Sequence, residues 1–247
     1  MRRFSDRKEV LAMKVSLIVP MYNELSIIEN TVQVYHDYLS EKYPDFELIF
    51  VDDGSTDGCA EAVEKMNATN TRVIRYTPNQ GKGNAVKTGM LAASGDIAMF
   101  LDADIAYGTD VIERAVQLMD EHPECEMVIG SRPLHPEGYA GYTPIRKLAS
   151  KTYIKVLNLA GGFKLSDSQC GCKAYRGKAA HEIFSRVETK RFAFDFETIL
   201  WAQKLGYPIL EMPVKIVNHR ESKVNVVRDT FRMLKELRAI KKRVGKS

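Results

Sequence analysis

An α/β fold with a mostly parallel central sheet flanked by helices is what the sequence predicts, on three observations. From Val15 to about Arg132, β-rich apolar runs alternate with segments of helical period, the pattern of successive βαβ units. The run "IAMFL", Ile97 to Leu101, is apolar throughout, as a central parallel strand covered on both faces requires. Polar punctuation follows each of the first four runs, and open parallel sheets bind ligands beyond the carboxyl ends of their strands. At 247 residues the chain fits one such domain.

Taken in order, the strands are Val15 to Val19, Phe46 to Val51, Arg72 to Tyr76, Ile97 to Leu101 and Met127 to Gly130. Helices fill the intervals, near Glu24 to Glu41, Thr56 to Asn67, Gly83 to Ala93 and Asp110 to Glu121. Ser55 or Thr56 is the candidate N-cap of the second helix. After Pro133 the pattern changes. A loop rich in Gly, Pro and Tyr ("PLHPEGYAGYTP") leads to a helix from about Ile145 to Leu159 and then to the polar segment "LSDSQCGCKAYRG". A helix around Asp195 to Leu205 and a strand through Ile209 to Val217 follow. Long polar loops are where binding residues collect.

Hydrophobic content of 45% and charged content of 28% are those of a globular protein and exclude a disordered or fibrous chain. No apolar run reaches the roughly 18 to 20 residues of a bilayer span, and Met1 to Lys14 lacks the apolar centre of a signal peptide. A cytoplasmic protein is therefore expected. Cys59, Cys125, Cys170 and Cys172 offer only one close pair, a C-x-C, which fits neither a disulfide framework nor zinc spacing.

The net charge of +4 is unevenly spread. Val224 to Lys246 carries eight bases against two acids, a local +6 that leaves the rest about neutral. Val227, Phe231, Leu234, Leu237, Ile240 and Val244 recur there at helical spacing. The chain thus reads as a domain over residues 1–223 and a basic amphipathic helix over 224–247. That helix is a candidate membrane-surface element, against the alternative that it docks on its own domain. No nucleic-acid partner is expected.

The chemistry lies in the strand-end motifs. "VPMYNE" supplies Pro20, Tyr22 and Glu24; "VDDGSTDG" supplies Asp52 and Asp53; "NQGKGNAVKTG" supplies Lys82; and "LDAD" supplies Asp102 and Asp104. "GKG" lacks the spacing of a phosphate loop or a dinucleotide fingerprint. Two aspartates at i and i+2 serve one ligand only where their strand is ending, because a strand sends alternate side chains to opposite faces. Such carboxylates are hard ligands suited to Mg²⁺ or Mn²⁺, which take the rest of their coordination from substrate phosphates, so a nucleoside diphosphate is implied.

"VSLIVPMYNE", "VDDGSTDG", "GKGNAVKTGMLAASGDIAMFLDAD" and the "GSR" at Gly130 together resemble the inverting family 2 glycosyltransferases, which have the GT-A fold of nucleotide-diphospho-sugar transferases. "SDSQCGCKAYR", "RFAFDFETIL" and "RESKV" are similar to the polyprenyl-phosphate branch, the dolichyl-phosphate β-glucosyltransferases more than the mannosyltransferases. The resemblance implies that Pro20, Tyr22, Glu24 and Asp53 hold the nucleoside, that Lys82 lies near the donor, and that Asp102 and Asp104 form the metal-binding D-x-D. It implies that Arg132, Arg146, Arg220 and Lys223 meet phosphates of donor or acceptor. Asp195 stands where relatives acting on hydroxyl acceptors keep a base, with Asp167 its rival; each is alternatively a structural carboxylate, capping a helix or pairing with an arginine.

The expected reaction is transfer of a sugar, first choice glucose from UDP-glucose, to a polyprenyl phosphate with inversion at a Mg²⁺ or Mn²⁺ site. A lipid phosphate is already anionic at neutral pH, so its attack needs positioning more than a base. A lipid acceptor also places the protein peripherally on the inner face of a membrane, with the basic tail against anionic lipid. The alternatives are a soluble transferase to a hydroxyl acceptor, with Asp195 as base, and a non-catalytic nucleotide-sugar sensor or membrane adaptor, which the intact D-x-D disfavours.

Overall fold

A computed structural model of the chain describes residues 13–218 and 236–245. Its sheet is organised about β1 (Val15–Met21), which pairs in parallel with β2 (Phe46–Asp52) on one side and β4 (Ile97–Leu101) on the other. β3 (Thr71–Arg75) lies beyond β2 and closes that edge, half exposed as an edge strand is. Beyond β4 come β6 (Cys172–Arg176), β5 (Met127–Ser131) and β7 (Ile209–Pro213), giving the order β3-β2-β1-β4-β6-β5-β7 among the described residues.

β6 is antiparallel to both its neighbours; β5 and β7 run parallel to each other. Residues 172–176, which fall in the polar segment "LSDSQCGCKAYRG" of the sequence, form β6 although Lys173 interrupts its apolar pattern. In the fold Lys173 lies opposite Phe100 and is fully buried, which its ion pair with Asp195 permits. Since β6 alone among the described strands is reversed, the carboxyl ends of β1, β2, β4, β5 and β7 share one edge of the sheet with the amino end of β6.

Alternation along the strands feeds two cores. Val15, Leu17 and Val19 of β1, with Ile97, Met99 and Leu101 of β4, pack under α1 (Leu25–Lys42), α2 (Cys59–Met66) and α4 (Asp110–Glu121). Ile18, Ile49, Val51, Ala98 and Phe100 face α3 (Lys82–Ala92), α6 (Gly177–Arg186) and α7 (Phe194–Lys204). α5 (Pro144–Gly161) starts from a Thr143 N-cap whose Oγ1 accepts the Arg146 N–H at 3.2 Å, with Pro144 in the first turn. Only Ile154 and Leu157 of α5 are buried.

Two local expectations change. α2 begins at Cys59, not at Thr56; Ser55 and Thr56 instead tie the β2 loop to the β1 loop, Ser55 Oγ accepting the Asn23 N–H and Thr56 donating its N–H to Asn23 Oδ1, each at 2.9 Å. β7 ends at Pro213, after which Val214 and Val217 donate N–H bonds to Ser131 and Ala106. On the edge opposite the strand ends, Glu47 accepts from Ser16 Oγ, Ser94 N and Arg72 Nη2 at 2.6, 2.6 and 3.1 Å, linking β1, β2, β3 and the turn before β4.

Of the basic tail, residues 236–245 are described, and they are helical (α8). Leu237, Ile240 and Val244 are buried in the second core, and Arg243 pairs with Glu197 and Glu188. This part of the tail docks on its own domain, so its apolar stripe is not free to enter a membrane. Val227, Phe231 and Leu234 lie outside the described residues. No helix among the described residues is long and apolar enough to cross a membrane.

Candidate active site

A cavity of about 530 Å³ opens at the carboxyl edge of the sheet. Pro20, Tyr22, Glu24, Asp53, Lys82, Asp102, Asp104, Arg132 and Arg146, dispersed over 127 residues of sequence, all line it. Strand ends deliver Pro20, Asp53, Asp102 and Arg132; helix starts deliver Glu24, Lys82 and Arg146. Arg220 and Lys223 lie outside the described residues.

Asp53 builds one wall. Its Oδ1 accepts the Gln80 N–H at 2.8 Å, and its Oδ2 accepts from Gly81 N and Asn79 Nδ2, also at 2.8 Å. The carboxylate thereby fixes the turn leading into α3. Gly81 has φ 105° there, and a Cβ would sit 2.6 Å from the Lys190 carbonyl, so only glycine fits. The first residue of α3, Lys82, is thus aimed across the cavity, where Nζ lies 2.5 Å from Asp102 Oδ1. Burial opposes the ammonium charge, but Asp102, Asp195 and Asp104 outweigh it and raise the Lys82 pKa above the ordinary lysine value.

The opening between Asp102 and Asp104 is set by backbone. Tyr35 Oη donates to the Asp102 carbonyl at 3.0 Å, and Thr31 Oγ1 to the Ala103 carbonyl at 2.6 Å. Ile105 then turns the chain at φ 53°, a conformation that costs a β-branched residue on the order of 1–3 kcal/mol. Strand alternation ends at this turn, so both carboxylates reach one cavity. Gly171 packs on Asp102 from the amino end of β6: a Cβ there would come within 2.4 Å of Asp102 Oδ2. Among the described residues no group of three His, Cys, Asp or Glu side chains is placed to hold a metal ion. Two carboxylate side chains at a cavity wall fit a hard divalent cation that takes its other ligands from a substrate diphosphate and water.

On the opposite wall stands Arg132. Its Nε and Nη2 donate side by side to Asp167 Oδ2 and Oδ1 at 2.6 and 2.9 Å, while Nη1 donates to Tyr142 Oη at 3.0 Å. Burial disfavours the guanidinium charge, yet Asp167 holds its pKa above the ordinary arginine range. Glu211 in turn accepts the Ser166 and Asp167 N–H groups at 2.8 and 3.2 Å. Arg146 lies flat on Tyr142, its Cζ 4.2 Å from the ring centroid. Two guanidinium groups therefore meet around one tyrosine.

Asp167 and Asp195 are not among the residues lining the cavity. Asp167 is fully buried behind Arg132, and Asp195 is spent on Lys173, whose Nζ also donates to the Cys170 carbonyl at 2.7 Å. Burial raises the Asp195 pKa, with Lys173 and Lys82 pulling the other way. Both carboxylates are placed to hold other side chains.

The cavity also includes Asn79, Tyr107, Tyr142, Phe192 and Asn218, which sequence reasoning passed over, and Arg191, which it considered only as a partner for Asp195, a carboxylate the fold pairs with Lys173 instead. "NQGKG" contained a signal for Asn79, adjoining a lysine already singled out. "RFAFD" likewise put Arg191 and Phe192 beside Asp195. Asn218, whose Nδ2 donates to the Asp104 carbonyl at 2.6 Å, carried none.

Comparison with known proteins agrees with this architecture. Residues 16–184 match the family pattern described as glycosyl transferase family 2. The chain is 31% identical to the glycosyltransferase AglD of Haloferax volcanii over 94% of its own length, and spans 38% of that longer protein. It is 31% identical to the dolichyl-phosphate β-glucosyltransferase of Dictyostelium discoideum, covering 90% of this chain and 72% of the relative, and 29% identical to the Homo sapiens enzyme of that name, covering 93% and 75%. The fold is shared with mannosyl-3-phosphoglycerate synthase from Rubrobacter xylanophilus, with a TM-score of 0.71 and 19% identity over 98% of this chain and 78% of that one. It is shared also with glucosyl-3-phosphoglycerate synthase from Mycobacterium tuberculosis, crystallised with Mn²⁺, UDP and glucosyl-3-phosphoglycerate, with a TM-score of 0.70 and 20% identity over 99% and 86%. With its family pattern spanning well over half of the chain and its fold that of GT-A glycosyltransferases, this protein belongs to glycosyl transferase family 2.

Proposed function

We propose that the protein transfers glucose from UDP-glucose to a polyprenyl phosphate of dolichyl type, inverting the anomeric carbon. One observation carries this reading: a single cavity sets a carboxylate pair and a lysine, Asp102, Asp104 and Lys82, against two arginines, Arg132 and Arg146. The first group suits a metal-bound diphosphate and the second an anionic acceptor. The names of the relatives, dolichyl-phosphate β-glucosyltransferases, agree with that pairing of ligands.

A phosphate oxygen of the acceptor attacks C1 of the sugar from the face opposite the diphosphate. The new C1–O bond forms as the bond to the diphosphate breaks, and UDP leaves with the electron pair. A Mg²⁺ or Mn²⁺ ion held by Asp102 and Asp104 would supply neutralisation of the charge developing on that diphosphate. Lys82 adds a fixed positive charge on the same side. Arg132, locked by Asp167 and Tyr142, and Arg146, stacked on Tyr142, orient the acceptor phosphate through charge-assisted hydrogen bonds. Asp53 shapes the nucleoside wall with Pro20, Tyr22 and Glu24. Asp167 and Asp195 are positioning residues, the first for Arg132 and the second for Lys173 and the region beneath Lys82. A hydroxyl acceptor would need a base, and their ion pairing argues against either supplying it.

The test is incubation of the purified full chain with a panel of nucleotide sugars, Mg²⁺ or Mn²⁺, and polyprenyl phosphate, polysaccharide or small hydroxyl acceptors. Metal-dependent formation of lipid-linked glucose from UDP-glucose is expected. Sugar transfer to hydroxyl acceptors alone, or none with any donor, overturns the reading.

A further inference from the structure

α5 presents its apolar residues the wrong way round for a helix that serves only its own domain. Ile145, Leu148, Val156 and Leu159 are exposed to 82, 67, 40 and 87%, whereas Ile154 and Leu157 face the core. At 3.6 residues per turn the four exposed residues, with Thr152 between them, fall in a stripe about 80° wide on the side away from the domain. Every residue from Thr143 to Ala149 is exposed, so the first turns of the helix are open to solvent, with Arg146 stacked on Tyr142 at the cavity.

Lys147, Lys151 and Lys155 lie along one side of that stripe, Arg146 lies on the other side toward the cavity, and the helix contains no Asp or Glu. An outward apolar stripe bordered by a row of lysines is complementary to an anionic bilayer surface, where the apolar side chains enter the acyl boundary and the bases meet headgroups. A second copy of the chain is a poor match, because it would bring four more bases against these four. The helix also reaches the cavity, since Arg146 in its first turn lines it.

We propose that α5 is the membrane-docking element of this protein, lying along an anionic lipid surface and bringing the Arg132–Arg146 side of the cavity to it. The proposal deepens the lipid-phosphate reading above and moves membrane contact from the C-terminal helix, whose described apolar residues are buried, to a helix at the mouth of the site.

The test is flotation of the full chain with vesicles of phosphatidylcholine alone and of phosphatidylcholine with phosphatidylglycerol, comparing wild type with a Leu148→Glu, Leu159→Glu double variant. Both positions are exposed, so the fold is left intact. Wild type is expected to float with the anionic vesicles and much less with the neutral ones, and the variant to bind about tenfold less or weaker. Turnover on a short water-soluble isoprenyl phosphate stays at the wild-type rate, while turnover on a long-chain acceptor in vesicles falls with binding. Unchanged flotation of the variant overturns the proposal. So does a wild-type dimer in light scattering that the variant dissolves without loss of vesicle binding. Vesicle binding lost in the variant when wild type transfers sugar to no isoprenyl phosphate sustains the docking surface and sinks the acceptor assignment instead.

Discussion

Lys82 Nζ rests 2.5 Å from Asp102 Oδ1, so a lysine at the start of one helix and an aspartate at the end of a neighbouring strand share one charge-assisted contact at the cavity wall. The contact is only partly shielded, the two side chains being 26 and 31% exposed. Its value therefore lies in placing charge for a ligand more than in stability. Lys82→Met is expected to lower kcat/KM for the nucleotide sugar by about 10²- to 10³-fold, as loss of a preorganised charge does, with little change in the melting temperature. Initial rates and thermal scans on the same preparation check both halves.

The Arg132–Asp167 pair makes the opposite forecast. Here Asp167 is fully buried and the Arg132 side chain is 13% exposed, so Asp167→Asn leaves a guanidinium without its counter-charge. Urea denaturation is expected to register a loss of about 3–5 kcal/mol. Arg132→Lys keeps the charge but loses the side-by-side geometry, and should raise KM for the acceptor more than KM for the donor. Equal effects on both substrates would place Arg132 elsewhere in the reaction.

Gly171 offers a purely steric probe. Its φ is not in the left-handed region, so alanine is tolerated by the backbone, but the added methyl meets Asp102 Oδ2 at 2.4 Å. Gly171→Ala should displace the carboxylate and cut kcat about tenfold to a hundredfold, with a matching rise in the Mn²⁺ concentration for half-maximal rate. A normal metal response in that variant would remove Asp102 from the metal site.

Glu47 predicts part of the acid limb of stability. Burial raises its pKa, but hydrogen bonds from Ser16, Ser94 and Arg72 outweigh this and hold it below the ordinary glutamate value. A carboxyl depressed in the folded state contributes stability that is present above the unfolded pKa of about 4.3 and is lost as pH falls through the folded value. Glu47→Gln is therefore expected to be less stable than wild type at neutral pH and to show a flatter decline below about pH 4.3. Urea midpoints measured from pH 7 downward test the sign.

Much of the fold was legible because its first half obeys simple periodicity: the strands from Val15 to Gly130 and the helices between them are read from apolar spacing alone. β6 and α6 were not, since a buried lysine looks like a surface residue until Asp195, 22 residues later, is seen to neutralise it. The site was legible where side chains sit directly after strands, as Asp53, Asp102 and Arg132 do. It was illegible where its geometry depends on packing between distant segments. No local pattern says that Asp167 backs Arg132, or that the tail buries Ile240 while α5 exposes Leu159. A hydrophobic stripe in a sequence states that a helix has an apolar side, not which partner covers it.

The reversed strand β6 has a consequence for how the chain assembles. Among the described residues β4 has no neighbour on one side until residues 172–176 are made, and β5 and β7 attach to the rest of the sheet only through that strand. During synthesis the first four strands can join through short-range crossovers, whereas the half carrying Arg132 must wait for a keystone that arrives about seventy residues after β4. A chain cut before Cys172 would expose the unpaired edge of β4, a template for aggregation, and would leave Arg132, at the end of β5, with nothing to join it to the half that carries Asp53 and Asp102.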